Sequence, residues 1–149
     1  MPSASIKKKI LCNKDNLISM VLDIEKYPEF IPWCINAKVY KTKDEGDIIK
    51  ITADLTIGKS FFYETYKSFV IYNKSKDSIL VTNIDGPLKY LENKWFFKEL
   101  GSNCEIEFYI DFALKNKVLN LLMTKSFNIG LNKIASAFEK RAIDLFKST

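Results

Sequence analysis

The hydrophobic period of this chain switches near residue 116, and that switch restricts the folds open to it. Over the long stretch before it, from about residue 35, apolar residues recur largely at every second position. Cys104, Ile106, Phe108, Ile110 and Phe112 alternate with Glu105, Glu107, Tyr109 and Asp111; Ile49, Ile51, Ala53, Leu55 and Ile57 alternate with Lys50, Thr52, Asp54 and Thr56. A two-residue period marks a strand with one buried face. After the change, Met123, Phe127, Leu131, Ile134, Phe138, Ala142 and Leu145 recur at steps of three and four, the stripe of one long helix over about 116–147. Many one-faced strands and one long helix must therefore cover each other.

The remaining elements follow the same logic. Residues 3–10 place Ala4, Ile6 and Ile10 opposite Ser5, Lys7 and Lys9, a half-buried strand. Asn13 is an N-cap candidate for a helix with a Leu17, Met20, Val21, Ile24 stripe. Pro28 disfavours a helical residue before it, so this helix is expected to end near Tyr27, leaving 28–33 as a short helical turn at most. Ile35, Ala37 and Val39 share one face of the next strand; Asp44–Asp47 and Gly58–Lys59 read as turns. Residues 60–72 form a strand with large apolar groups on both faces, so its inward face stays open. A loop at 73–78, a strand at 79–84, a turn at 85–87, a strand at 88–99 with Trp95 and Phe97 on one face, and a turn at 101–103 complete the order. The expected architecture is α+β: a single domain over 1–149 in which a curved antiparallel sheet wraps around the C-terminal helix. With side chains this large, a cavity is expected between sheet and helix, with the early loop at its mouth. Gly130 interrupts the long helix and permits close packing or a slight bend.

Several chemistries are excluded by composition. The chain has no histidine, so Ser-His and Cys-His nucleophiles and histidine metal sites are absent. Cys12, Cys34 and Cys104 are widely spaced, with no C-x-x-C pair, which points to buried free thiols. No catalytic residue and no metal ligand is assigned. Glu64, Glu107 and Asp111 are the carboxylates considered as a general base, but Glu107 and Asp111 fall on the polar face of their strand. The net charge of +5 suits a mild attraction to anionic surfaces. The basic residues are scattered and Arg141 is the single arginine, which speaks against a dedicated RNA binder; DNA is not expected as a partner either. Arg141 is expected to pair with Glu139 or Asp144. The first residues, "MPSASIKKKIL", carry no apolar signal region and no apolar run reaches spanning length, so a cytoplasmic location, with peripheral contact at the inner face of the membrane, is expected.

Four blocks carry a family resemblance: "DIEKYPEFIPWC" (23–34), "DGPLKYLENKWFF" (85–97), "CEIEFYIDF" (104–112) and "FEKRA" (138–142). The chain resembles the coenzyme Q-binding protein family, which includes bacterial relatives named for a ribosome-association toxin. That family lies within the polyketide cyclase and START-type lipid-transfer superfamily, with the helix-grip fold of the major birch pollen allergen. Leu88 after Gly86-Pro87, where the family has Phe, and a longer 73–78 loop are departures. The resemblance implies a non-enzymatic binder of ubiquinone or a related polyprenyl quinone or lipid, a quinone chaperone supporting respiration, with no cofactor required beyond such a bound lipid. Its alternative implication is a toxin that binds the large ribosomal subunit and blocks subunit association. The expected ligand-lining residues are Tyr27, Phe30, Trp33, Leu55, Trp95, Phe97, Phe108, Ile110, Phe112, Phe127, Leu131 and Ile134. Tyr27, Phe30 and Trp33 fit either a gate or a rigid corner. "VLNLLM" (118–123), flanked by lysines, is expected to contact a membrane or partner through Val118, Leu119, Leu122, Lys115 and Lys117.

Overall fold

The computed structural model describes residues 3–59, 62–85 and 88–146, apart from the side chains of 3, 59, 62, 85, 119 and 122–129. Among these residues the strands are β1 (Ser3–Ile10), β2 (Cys34–Asp44), β3 (Ile48–Lys59), β4 (Phe62–Asn73), β5 (Ser78–Asp85), β6 (Leu88–Leu100) and β7 (Asn103–Leu114). They form one antiparallel sheet in the order β1-β7-β6-β5-β4-β3-β2. The helices are α1 (Lys14–Leu22) and α2 (Lys117–Phe146). The α+β helix-grip architecture expected from the change of period is the one observed.

The core lies where α1 and the second half of α2 meet the inner face of the sheet. Leu17 and Val21 of α1 and Phe138 and Ala142 of α2 are buried together with Ile51, Ala53, Val70, Trp95, Phe97 and Ile106 from the strands. The strand left open by the sequence now has a definite face. Ser68 lies opposite buried Ala53 and Val70 opposite buried Ile51, so the even-numbered residues of β4 point inward. Phe69 and Ile71 occupy the outer face, which is why both faces look apolar.

Local details depart from the expectations in five places. First, α1 is capped by Asn13, whose side chain accepts from Asn16 N at 2.8 Å, but it ends at Leu22, not near Tyr27. Val21 O accepts instead from the Tyr27 hydroxyl, so a side chain satisfies a carbonyl left free at the helix end. A 3₁₀ turn, Ile24–Glu29, follows and contains Pro28. Second, Gly58 and Lys59 are paired strand residues opposite Tyr63 and Phe62, so they are not the turn. Third, Ile35 is exposed because the register shifts between Cys34 and Asn36; Ala37 and Val39 do face the core. Fourth, the 73–78 loop holds a 3₁₀ turn, Lys74–Lys76, capped by the Asn73 side chain. Fifth, Arg141 pairs with Glu29 at 2.9 Å, while Glu139 pairs with Lys8 at 3.1 Å. The fold brings Glu29 to Arg141 from 112 residues away, a pairing that local spacing on the helix does not reveal.

Trp33, at the end of the proline segment, has φ +66°, a left-handed conformation that bulky residues rarely adopt. It is held from the β3 edge, where Gly58 N donates to Trp33 O at 2.9 Å. Its ring lies on α2 at Gly130, where an added Cβ would stand 3.4 Å from the indole. The glycine of α2 is thus the place where the indole seats.

Candidate functional site

The aromatic residues expected to line a site divide into two groups. Phe138 of α2 is the hub of the first. Its ring makes edge-to-face contacts with Tyr27, Phe30 and Trp95 at centroid distances of 5.6, 5.3 and 5.1 Å. Trp95 continues the chain to Phe108 at 4.7 Å and stacks on Phe97 at 6.1 Å. Arg141 covers Phe30 from outside, with its guanidinium carbon 5.0 Å from the ring centroid. Hydrogen bonding to Arg141 holds the Glu29 carboxyl below the usual carboxylate range. Tyr27 and Phe30, both half-buried, pack against the core through these contacts.

Beside this group, an apolar cavity of about 30 Å³ remains between β1, β6, β7 and α2, touched by Trp95, Phe108, Leu131 and Ile134. That is room for about one water, far short of a quinone ring. Among the described residues, the rings and the second half of α2 fill most of the space here. A larger depression of about 380 Å³ lies outside, between α1 and Tyr72.

The second group lies toward the opposite end of the sheet. Leu88, Leu91 and Phe112 form a separate apolar cluster, against which Tyr66, Val81, Ile110 and Leu114 pack. Here α2 starts, with Asn120 Oδ1 accepting from Leu114 N at 3.0 Å. Among the expected lining residues, Ile110 and Phe112 belong here, whereas Leu55 packs against the main core. Trp33 closes on mid-α2, and the side chain of Phe127 lies outside the described residues.

Polar residues on the inner face escaped the sequence reading. Ser68 is 1% exposed and Asn93 9%. Ser68 stands directly opposite Asn83, and Asn93 opposite Val81, two residues along β5. Asn93 accepts from Trp95 Nε1 at 2.8 Å and donates to Tyr109 O at 2.9 Å. Asn83 Nδ2 donates to Leu88 O at 3.2 Å, and Ser68 Oγ to Ala53 O at 3.3 Å. The signal for Asn93 was available, since it shares parity with Leu91, Trp95 and Phe97.

The candidate acids do not converge on this face. Glu64 and Glu107 are exposed, and Asp111 accepts from the Tyr90 hydroxyl at 3.0 Å. No group of His, Cys, Asp or Glu that could hold a metal occurs among the described residues. Cys12, Cys34 and Cys104 are free thiols; burial pushes Cys34 and Cys104 each up to about 11.

The end of the sheet near the second cluster is rimmed with exposed apolar groups. Val118 is 68% exposed and Leu121 58%. Ile35, Ile57, Tyr63 and Ile84 are exposed at the adjoining ends of β2, β3, β4 and β5. Lys89, Lys115 and Lys117 are exposed at the same end. The side chains of Leu119 and Leu122, also expected in this contact, lie outside the described residues. No described helix is long and apolar enough to cross a membrane.

A seven-stranded antiparallel sheet closed over one long helix, with the lining just described, is a START-like helix-grip domain. The chain belongs to the polyketide cyclase / dehydrase and lipid transport family, whose pattern matches residues 17–139. It is similar to the ribosome association toxin RatA of Rickettsia prowazekii, 31% identical over 134 residues, 88% of this chain and 89% of that protein. It is also similar to the mitochondrial coenzyme Q-binding protein COQ10 of Dictyostelium discoideum, 29% identical over 91% of this chain and 66% of that protein. Among solved structures, an 18 kDa protein of Caulobacter crescentus is 30% identical, with a TM-score of 0.79 over 97% of this chain and 98% of that one. A START superfamily protein of Mycobacterium smegmatis shares the fold at 18% identity and a TM-score of 0.79, covering 96% and 98% of the two chains.

Proposed function

We propose that the protein binds a hydrophobic ligand without transforming it, and that the ligand is a polyprenyl quinone such as ubiquinone, or a related lipid, carried in support of respiration. The observation that carries this reading is the second apolar cluster. Leu88, Leu91 and Phe112 form a patch on the inner sheet face separate from the filled core, at the end where α2 begins. The named activity of the coenzyme Q-binding relative supports the choice of quinone. The scattered acids and the lack of histidine support binding over catalysis. The test is organic extraction of the purified protein, with quinone read by absorbance and mass. Stoichiometric quinone or lipid is expected, and protein free of extractable lipid that also fails to take up added quinone refutes the reading.

Delivery of such a ligand requires a lipid surface, and the apolar rim with its lysines supplies a face for one. Co-sedimentation with anionic vesicles, weakened by salt, is the expected result; no binding at low salt removes this part. The alternative is association with the ribosome, at the large subunit in this reading; the name of the Rickettsia relative, a ribosome association toxin, supports the ribosome as partner. Co-sedimentation with that subunit and a lower fraction of assembled ribosomes would favour it.

A further inference from the structure

Within the second cluster, the hydrogen bonds leave two polar atoms without partners. The amide and hydroxyl donors of half-buried Asn83 and of buried Asn93 and Ser68 are satisfied: Asn83 Nδ2 by Leu88 O, Asn93 Nδ2 by Tyr109 O and Ser68 Oγ by Ala53 O. Because Leu88 O can only accept, the Asn83 amide is oriented, and its oxygen is directed elsewhere. Among the described residues that oxygen has no hydrogen-bond partner, and neither has the Tyr66 hydroxyl. Tyr66 lies two residues from Ser68 on the inner face of β4, and Ser68 is paired directly with Asn83. One unmatched donor and one unmatched acceptor thus sit on neighbouring strands, in surroundings made by Leu88, Leu91, Phe112 and Ile110.

We infer that Tyr66 and the Asn83 carboxamide oxygen are the polar end of the ligand site, and that they select an uncharged lipid bearing a carbonyl or hydroxyl oxygen over an anionic one. This deepens the hydrophobic-ligand reading and rests on it. A carbonyl oxygen accepts from Tyr66; a ligand hydroxyl donates to Asn83. Both forms of a quinone/quinol couple therefore find a partner with no change in the protein. Burial raises the Tyr66 pKa, which keeps the phenol neutral and a donor. A carboxylate or phosphate placed among these apolar side chains would lose its hydration at a high cost. The lysines at the rim, Lys89, Lys115 and Lys117, are exposed and serve a different task from these two groups.

The test compares the parent protein with Tyr66→Phe, which keeps the ring and removes the hydroxyl. Binding of decylubiquinone, of an oxygen-free polyprene and of a long-chain fatty acid is read by quenching of tryptophan fluorescence. The quinone should bind the parent more tightly than the fatty acid. Tyr66→Phe should weaken the quinone roughly 3- to 10-fold, the loss of one neutral hydrogen bond, and leave the polyprene unchanged. The carbonyl stretch of bound quinone, shifted down in the parent, should return toward its free value in the variant. Equal quinone affinity and an unshifted stretch in both proteins overturn the subsite but leave hydrophobic binding intact. Equal weakening of quinone and polyprene also overturns it, as a packing effect. A parent that binds none of the three ligands overturns the hydrophobic-ligand reading itself.

Discussion

Phe138→Ala tests whether the Tyr27–Phe30 corner is structural. Phe138 is 4% exposed and touches three aromatic rings that come from the 3₁₀ turn, the proline segment and β6. Burying a side chain of this size contributes about 1.5–3 kcal/mol by area. Each edge-to-face pair adds about 0.5–1.5 kcal/mol, and these contributions overlap with the area term. Truncation also joins the new void to the 30 Å³ cavity that Phe138 already borders. Collapse into a void of that shape requires α2 to move against the sheet, so little is recovered. The expected loss is about 4 kcal/mol, within the about 3–5 kcal/mol range for buried Phe→Ala changes. For a chain of 149 residues that is a fall in Tm of roughly 8–16 °C. Urea unfolding followed by tryptophan fluorescence reads it directly, since Trp95 lies against Phe138. The urea midpoint should drop with an unchanged slope. A loss below about 1 kcal/mol would refute the hub, and with it the conclusion that Tyr27 and Phe30 are anchored to the core.

Two further perturbations probe the frame around the site. Gly130→Ala should raise stability by up to about 1 kcal/mol through helix propensity, because among the described residues the new methyl meets only the Trp33 indole, at 3.4 Å; a lower Tm would mean the indole cannot yield. Tyr27 and Tyr66 should ionise last among the seven tyrosines in an ultraviolet titration. Unfolded tyrosine loses its proton near pH 10. Burial pushes these two up, so above pH 10 the folded state keeps protons that the unfolded state releases. Their contribution is complete below pH 10 and declines as pH rises beyond it. Seven tyrosines that titrate together without loss of structure would contradict the burial of both rings.

Most of the sheet and the long helix were legible because their signal is periodic and local. Cys104 to Phe112 alternate over nine residues, and no other element type fits that pattern. β4 was illegible in one respect, since Phe69 and Ile71 are as apolar as Val70, and only pairing with Ala53 and Ile51 decides which set turns inward. The proline segment misled in another way. Pro28 sets a local backbone preference, but α1 already ends at Leu22, where the Tyr27 hydroxyl takes the Val21 carbonyl.

The candidate site was the least legible part, and the reason is physical. An aromatic residue that packs a core and one that lines a pocket have the same composition signal, so Trp95 and Phe112 could not be separated in sequence. What separates them is whether the opposing surface fills the space. Phe138 and Leu131 fill it beside Trp95, while Phe112 stands in a cluster of its own at the start of α2. Polar residues discriminate better than apolar ones here. A buried hydroxyl or amide is normally paired, so an unpaired one identifies a surface that awaits a partner. Half-buried Tyr66 and Asn83 each carry a polar atom without a partner among the described residues, whereas the buried Asn93 and Ser68 are bonded within the sheet. In the proposed site, two polar atoms on β4 and β5, which a ligand oxygen would complete, therefore carry more of the specificity than the aromatic rings do.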